Sequence, residues 1–265
     1  MSEEGFLINI KTHEAIAFKH LAGLYHNILT VVPITVNKKT MKVYCQNSKK
    51  TILLETILKS EKFETFEINN DDDNDFLMVV SAKYFNILTK AIKVKDVIKF
   101  YVAEGAEDSL TIRLENPNKN KCNTKKLKII QDYDDPKEYI KPPAYDDHNP
   151  TVVISSSEFQ SMAKTIKNIS DTAILEVQDK GIRFSSSDNK NDDIFSDSTE
   201  FGIWRKNKDI LYKQVFSSKD LYRICKISGF KKNIRIYTTK NKPLKISIDT
   251  GSLGVQNIYL TAEGL

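Results

Sequence analysis

The sequence predicts an α+β protein made of two similar halves, with helices packed on one face of largely antiparallel sheets. Three observations lead to this prediction. Runs with the patterning of strands outnumber runs with helical spacing. The order of helix and strand runs in the first half recurs in the second. Between the halves, residues 116–150 contain five of the seven prolines, a composition typical of a connector.

In the first half, apolar residues between Ile16 and Ile28 fall on one helical face and predict a helix. A second helix is predicted over residues 82–92. Strands are predicted from the β-type runs at 33–36, 41–45, 51–58, 63–69, 96–103 and 108–115.

The second half repeats this pattern. Ser155 and Glu158 form a capping signal before a helix over residues 156–169. A second helix is predicted over 217–229, where Gly229 is a suitable C-cap. The remaining runs predict a hairpin over 172–187, strands at 201–204 and 210–216, a hairpin over 233–249 and a closing strand over 254–265.

The composition predicts a globular protein of the cell interior. Hydrophobic residues make up 40% of the chain, which is enough for a packed core. The formal charge of +5 is mild, so binding to a polyanion would require a basic face. Cys45, Cys122 and Cys225 are scattered, which predicts free thiols. The acidic N-terminus is unlike a signal peptide, and polar residues interrupt the most apolar region, so no membrane span is expected.

Motifs for catalysis are missing from the sequence. Two acidic runs lack the converging ligands and glycine turn of a metal site, and we interpret them as solvated loops: Asp71, Asp72, Asp73 and Asp75, and Asp132, Asp134 and Asp135. The histidines, His13, His20, His26 and His148, have neither HExxH nor zinc-site spacing. No phosphate-binding glycine motif or GxSxG occurs. We therefore expect a non-enzyme without metal or cofactor.

Several segments resemble the eukaryotic and archaeal sliding clamps, the proliferating cell nuclear antigen (PCNA) family. Ser157–Ser186 resembles the opening of the family's second domain, in which a helix leads into a hairpin. Residues 51–69 are similar to a first-domain stretch with a Ser-Glu-x-Phe motif. The final strands resemble the family's Pro-Leu strand and Tyr-Leu-Ala-Pro ending, although this chain has Thr261-Ala262 at the last two positions. An Asp/Asn-rich insert at 69–75 and the positive net charge also depart from the family pattern and favour a viral or parasite version.

The resemblance implies a trimeric ring of two-domain subunits, with sheets outside and helices lining a hole around duplex DNA. It implies an N-terminal clamp domain over residues 1–126, a connector over 127–150 and a C-terminal clamp domain over 151–265. The expected partners are double-stranded DNA, a DNA polymerase, a clamp loader, other replication and repair proteins with clamp-interacting peptides, and further copies of the same chain. The expected location is the nucleus, or the replication compartment of a large DNA virus.

Lysine and arginine residues on the predicted helices are candidates for DNA contacts, because sequence-independent attraction to phosphates permits sliding. They are Lys19, Lys83, Lys90, Lys164, Lys167, Lys219, Arg223 and Lys226. By resemblance, the family's lysines in the hole match Lys19, Lys164, Lys219 and Lys226 best, whereas Tyr25, Asn86 and Thr89 occupy other such positions. The alternative is that these charges belong to ordinary solvated helix faces.

Two further surfaces follow from the resemblance. A pocket for partner peptides would be formed by Gln46, Lys50, Leu127, Ile129, Ile130, Pro243, Tyr259, Leu260, Thr261 and Ala262. Alternatively, Leu127 and Ile129 simply hold the connector on its own domain. Subunits would meet through exposed sheet edges, for which the candidates are Ser109, Leu110, Thr111, Ile112, Arg113 and Leu114, and Glu200, Phe201, Gly202, Ile203 and Trp204.

Two other functions remain compatible with the sequence. One is a monomeric clamp-fold processivity factor that holds DNA electrostatically without encircling it. The other is a clamp-like scaffold without a role in replication. The mass in solution distinguishes a ring from a monomer, and binding of clamp-interacting peptides tests the scaffold.

Overall fold

The computed structural model of the chain confirms an α+β protein with antiparallel sheets. The structure describes residues 5–69, 75–119, 121–133, 142, 144–147, 149–178, 181–186, 193–196, 210–230 and 233–264. The helices are α1 (Ala15–Ile28), α2 (Ala82–Thr89), α3 (Ser156–Ile169) and α4 (Ser218–Arg223), with 3₁₀ turns at Ser60–Lys62, Pro117–Lys119 and Ile224–Gly229. The strands are β1 (Phe6–Thr12), β2 (Val31–Val36), β3 (Thr40–Gln46), β4 (Ile52–Lys59), β5 (Thr65–Ile68), β6 (Phe76–Ser81), β7 (Val97–Ala103), β8 (Ser109–Asn116), β9 (Lys121–Lys128), β10 (Val152–Ser155), β11 (Thr172–Gln178), β12 (Gly181–Ser186), β13 (Asp193–Ser196), β14 (Tyr212–Ser217), β15 (Asn233–Tyr237), β16 (Leu244–Asp249) and β17 (Gly254–Leu260).

The chain divides into two compact units, and neither is one continuous stretch. Unit 1 comprises Met1–Cys45, Glu55–Tyr139 and Asp249–Gln256. Unit 2 comprises Gln46–Leu54, Ile140–Ile248 and Asn257–Leu265. The domain boundaries expected from the sequence, after residues 126 and 150, stay a prediction.

Unit 1 contains a five-stranded antiparallel sheet in the order β5-β1-β7-β8-β9. Strands β6, β2 and β3 form a second antiparallel arrangement. One face of the five-stranded sheet is apolar and packs on the helices. Phe100 of β7 lies 4.7 Å from the ring of Phe18 in α1 and 6.5 Å from Phe85 in α2, measured between ring centroids. These aromatic side chains are buried and tie both helices to the sheet.

Gly254 allows two strands of unit 1 to approach closely. A Cβ atom at this position would lie 2.0 Å from the carbonyl oxygen of Ile57 in β4. Because a backbone oxygen cannot move aside as a flexible side chain can, only glycine fits here without a shift of the strand.

Unit 2 repeats the layering. Strands β10, β15 and β16 pair in antiparallel fashion, and a four-stranded antiparallel sheet has the order β13-β12-β11-β14. Phe159 of α3 meets Phe184 of β12 edge to face, with 6.0 Å between centroids. The predicted hairpin is confirmed as β11 and β12, whose turn residues lie outside the described part of the chain. The helix predicted over 217–229 is observed as α4 and the 3₁₀ turn that follows it.

The predicted subunit edge Ser109–Leu114 is wrong as an edge. These residues form most of β8, which pairs with β7 on one side and with β9 on the other along its whole length. The edge of the described sheet is therefore β9, Lys121–Lys128. This strand, KCNTKKLK, lacks an apolar alternation, and six of its eight side chains are exposed. For that reason the sequence pattern assigned it to the connector.

Candidate nucleic-acid interface

Each unit presents a pair of packed helices, α1 with α2 in unit 1 and α3 with α4 in unit 2. Serine caps begin three of these helices. Ser155 accepts a hydrogen bond on its Oγ from the Glu158 N–H at 3.1 Å, which confirms the capping signal in the sequence. Ser81 and Ser217 cap α2 and α4 in the same way. These side chains satisfy backbone donors that the first turn leaves without a helical acceptor.

The two serine caps place α2 and α4 in a common register. Lys83 and Lys219 each follow their cap by two residues, and Lys90 and Lys226 each follow it by nine. All four lysines are exposed. The two units thus carry positive charge at matching places on matching elements. This internal equivalence is stronger support for a shared role than the spacing within any one helix.

In unit 1, Lys19 is partly withdrawn from solvent, because its Nζ donates to the Ile92 carbonyl at 2.9 Å. Two positions that the sequence resemblance matched to DNA-facing lysines are buried instead. The Tyr25 hydroxyl lies 2.6 Å from Thr56 Oγ1, and burial raises its pKa. Thr89 is fully buried and donates to the Phe85 carbonyl at 2.9 Å. Neither Tyr25 nor Thr89 can therefore face a ligand, while Asn86 is half-buried.

The sequence prediction missed two cations in unit 1. Lys93 and Lys95 are exposed in the turn after α2, on either side of the exposed Val94. The sequence pattern that could have predicted them is a helical run followed by two lysines in a short polar turn. His20 adds no charge near neutral pH, because burial and the neighbouring Lys19 charge lower its pKa.

In unit 2 the predicted cations lie on α3, on α4 and in the 3₁₀ turn that follows. Lys164 and Lys226 are exposed. Lys167 Nζ lies 5.8 Å from the centroid of the Tyr222 ring, a cation–π contact between the two helices. The helices are thereby joined through a residue that still presents its charge to solvent.

Two cations of α4 have acidic neighbours. Lys219 pairs with Asp171 at 2.9 Å, and both side chains are largely exposed. Such a surface pair contributes little to stability, so the lysine can exchange its partner for a phosphate at small cost. Arg223 pairs at 3.0 Å with Asp220, a buried carboxylate that also accepts from Thr51 Oγ1 at 2.7 Å. Arg223 is therefore the more firmly held of the two.

The predicted peptide-pocket residues are divided between the units. Leu127 and Ile129 are buried, and in unit 1 the Ile129 N–H donates to the Asp108 carbonyl at 2.7 Å. Ile130 N–H donates to the Val79 carbonyl at 2.8 Å. These contacts match the alternative in which this apolar segment holds the connector on its own unit.

The remaining pocket residues belong to unit 2. Tyr259, Leu260 and Ala262 are buried, and Thr261 N–H already donates to the Thr51 carbonyl at 3.0 Å, so it is not available to a peptide. Gln46 ends β3, and Lys50 has a positive φ of 56° in the turn before β4.

Pro243 and Tyr259 border an unusual cluster in unit 2. The Lys245 ammonium lies between the rings of Tyr145, Tyr237 and Tyr259, at 5.6, 5.2 and 5.8 Å from their centroids. It also donates to Asp147 Oδ1 at 2.5 Å. The Tyr145 hydroxyl donates to the Pro243 carbonyl, and burial raises the pKa of Tyr145 to about 12. Residues 144–147 are thus fixed to β15, β16 and β17 through one buried cation.

Comparison with known proteins agrees with this arrangement. Residues 144–263 match the model of the proliferating cell nuclear antigen C-terminal domain. The proliferating cell nuclear antigen of Chaetomium thermophilum is 19% identical over 263 residues, which cover 97% of this chain and 98% of that relative. Residues 144–263 are thus similar to the C-terminal domain of the PCNA-type clamps. The matched residues include most of unit 2, and the longer alignment extends the similarity to the first half.

Clamps of the PCNA family are non-enzymatic scaffolds. Within the described residues of this chain, no three His, Cys, Asp or Glu side chains form a group that could hold a metal. Asp71, Asp72, Asp73, Asp134, Asp135 and His148 lie outside those residues, as do the predicted interface residues Glu200–Trp204. No helix in the described ranges is long and apolar enough to cross a membrane.

Proposed function

We propose that this chain is a DNA sliding clamp, a processivity factor that encircles duplex DNA and tethers a polymerase and other replication and repair proteins. The observation that carries the proposal is two matching pairs of lysines: Lys83 and Lys219 on α2 and α4, and Lys90 and Lys226 in the turns that follow these helices. The similarity to proliferating cell nuclear antigens supports the same role.

The chemistry of these lysines suits sliding. A lysine at the end of a flexible side chain attracts phosphates without reading bases, so every position along the duplex has a similar energy. Lys164 and Lys226 are exposed and have no ion pair with a described residue. The same holds for Lys83 and Lys90, so these four lysines are available to phosphate. Lys219 would first have to release Asp171.

A ring of identical subunits requires two complementary edges. Edge strand β9 contains Lys121, Lys125, Lys126 and Lys128. Within the described part of the sheet β13-β12-β11-β14, β13 is an edge strand, and the sequence around it contains Asp192, Asp193 and Asp197. We propose that β9 of one copy pairs with β13 of the next. Opposite charges favour this pairing over β9 with β9, and closure of the ring removes both edges from solvent.

Partner proteins would bind beside Pro243 and Tyr259 in unit 2, next to the connector. The expected partners are a polymerase, a clamp loader and other proteins with clamp-interacting peptides, and the expected site of action is the nucleus or a viral replication compartment. Catalysis has no part in this proposal.

Mass and topology test the proposal together. Light scattering should report three chains of 30.3 kDa. After loading, the clamp should stay on nicked circular DNA and be lost when the circle is cut, because a ring slides off a free end. The double variant Lys164→Glu/Lys226→Glu should lower retention on the circle. Lys42→Glu/Lys240→Glu changes the charge equally at exposed positions away from the helices and should not.

A stable monomer would refute the ring. If that monomer held linear DNA with strong salt dependence, the monomeric processivity factor would replace the proposal. Equal losses in the two double variants would show that net charge alone, and not the helix face, governs retention.

A further inference from the structure

The five-stranded sheet of unit 1 has a second face, opposite the one that packs on α1 and α2. Alternation along β7 directs Phe100 to the core and leaves Lys99 and Tyr101 half-exposed on this second face. The proposed duplex site on the helices makes no use of it. We call it the outer sheet face and define it by Lys11, Lys99, Arg113, Tyr101 and Phe6.

Three cations form a row across the outer sheet face. Lys11 of β1 is directly opposite Lys99 of β7, and Lys99 is directly opposite Arg113 of β8. Neighbouring strands lie about 5 Å apart, so the three charges are closely spaced. Like charges directly opposite each other destabilise a sheet. The central lysine therefore has a like charge on each side of it.

Carboxylates pair with only the two outer cations of this row. Glu64 accepts from Lys11 at 2.8 Å, and Glu115 accepts from Arg113 at 2.7 Å. Within the described residues, Lys99 has no ion pair, and its Nζ lies 5.5 Å from the centroid of the Tyr101 ring. The unneutralised charge thus sits at the centre of the row, beside an aromatic ring.

A bulge in β1 brings a second aromatic ring to the same face. The register between β1 and β7 shifts between Phe6 and Ile8, so Phe6 is opposite Ala103. Without the shift, Phe6 would point to the same side as the buried Ile8 and Ile10. Its ring instead lies 6.3 Å from that of Tyr101, and both rings are half-exposed.

We infer that the outer sheet face binds single-stranded nucleic acid, with phosphates along the Lys11–Lys99–Arg113 row and bases against Tyr101 and Phe6. Cations that follow a backbone beside aromatic rings are the combination by which proteins hold single strands without sequence preference. A duplex keeps its bases stacked inside and would leave the rings unused. An acidic peptide would use the cations alone, so the rings favour a strand with unpaired bases.

Fluorescence anisotropy of the full chain with a labelled oligo-dT of about 20 nucleotides tests this inference. Measurements in the Lys164→Glu/Lys226→Glu background suppress binding by the helices, so that the remaining affinity reports the outer sheet face. Lys99→Glu should weaken this binding about tenfold at low salt and reduce the slope of log affinity against log salt by about 0.7 or more. Tyr101→Leu should weaken it about fivefold or more, because the stacking surface is lost.

Two controls separate this site from charge and folding effects. Lys42→Glu has the same charge change on β3 and should leave oligo-dT binding unchanged. Lys99→Glu should also raise the melting temperature, because it replaces two contacts between like charges with two contacts between opposite charges. If this more stable variant loses binding, the loss cannot result from unfolding.

Several outcomes would overturn the inference. They are absence of oligo-dT binding at low salt, equal effects of Lys99→Glu and Lys42→Glu, and an unchanged affinity in Tyr101→Leu. The last result, with polyglutamate competing as well as oligo-dT, would indicate an acidic peptide as the ligand. Clamp loading on circular duplex is a separate readout, so either proposal can fail without the other.

Discussion

The buried lysine at position 245 offers a direct test of how the connector segment is held. Its side chain is 5% exposed, and Asp147, its only described carboxylate partner, is 67% exposed. A hydrogen bond to a charged group contributes about 1.5–3 kcal/mol net, and solvent screening at Asp147 reduces this to about 1–1.5 kcal/mol. Asp147→Asn should therefore lower the free energy of unfolding by that amount, and the melting temperature by roughly 2–6 °C.

Lys245→Met should behave differently. The methionine keeps much of the apolar stem, contacts the same tyrosine rings and needs no ion partner, so the cost should stay within about 1 kcal/mol of wild type. In this background Asp147→Asn should lower the free energy of unfolding by less than about 0.5 kcal/mol, because the ammonium group that pairs with Asp147 is no longer present.

Urea unfolding of the four proteins forms a double-mutant cycle that measures the coupling. Lys242→Met is the matched control: Lys242 Nζ is also near Tyr145, at 5.9 Å from the centroid, but this side chain is half-exposed. It should change stability by less than about 0.5 kcal/mol. Equal costs of Asp147→Asn in the wild-type and Lys245→Met backgrounds would refute the reasoning.

Two other substitutions probe unit 1. Gly254→Ala should destabilise the protein by about 3 kcal/mol or more, because its Cβ would collide with the Ile57 carbonyl. Gly23→Ala in α1 should stabilise the protein by about 0.5–1 kcal/mol, because no atom lies nearer than 3.9 Å to the added Cβ. Thermal unfolding checks both predictions. Tyr25→Phe should reduce the fall in the free energy of unfolding at alkaline pH. Burial raises the folded-state pKa of Tyr25, so its contribution is complete below pH 10 and is lost as the pH rises further.

The corresponding controls use the same assays. A soluble Gly254→Ala protein with wild-type stability would show that the strands separate easily at this point. Tyr84→Phe, at an exposed position on α2, should leave the fall in the free energy of unfolding at alkaline pH unchanged. A Tyr25→Phe protein that loses stability between pH 9 and 11 as steeply as wild type would exclude Tyr25 as the group responsible.

Local signals in the sequence predicted much of the fold. The start of α3 depends on a cap between Ser155 and Glu158, three residues apart, and the β11–β12 hairpin depends on two adjacent apolar runs. Such features require no distant partner, so the chain itself contains the information. The cations of α2, α3 and α4 were visible for the same reason, because helical spacing separates a charged face from an apolar one.

Contacts between distant residues decided the rest. Whether Ser109–Leu114 is an edge depends on β9, which has no apolar pattern and pairs through backbone groups that every residue carries. Lys19 is tied to Ile92, 73 residues away, and Tyr25 faces Thr56 in the core instead of a ligand. The outer sheet face exists only because three strands align Lys11, Lys99 and Arg113. The sequence alone determined where the helices and many of the strands form and which residues carry charge, but it predicted no strand at β1, β6, β9, β10 or β13. Only the tertiary structure decided which charges meet and which are buried, because burial and register are set by long-range packing.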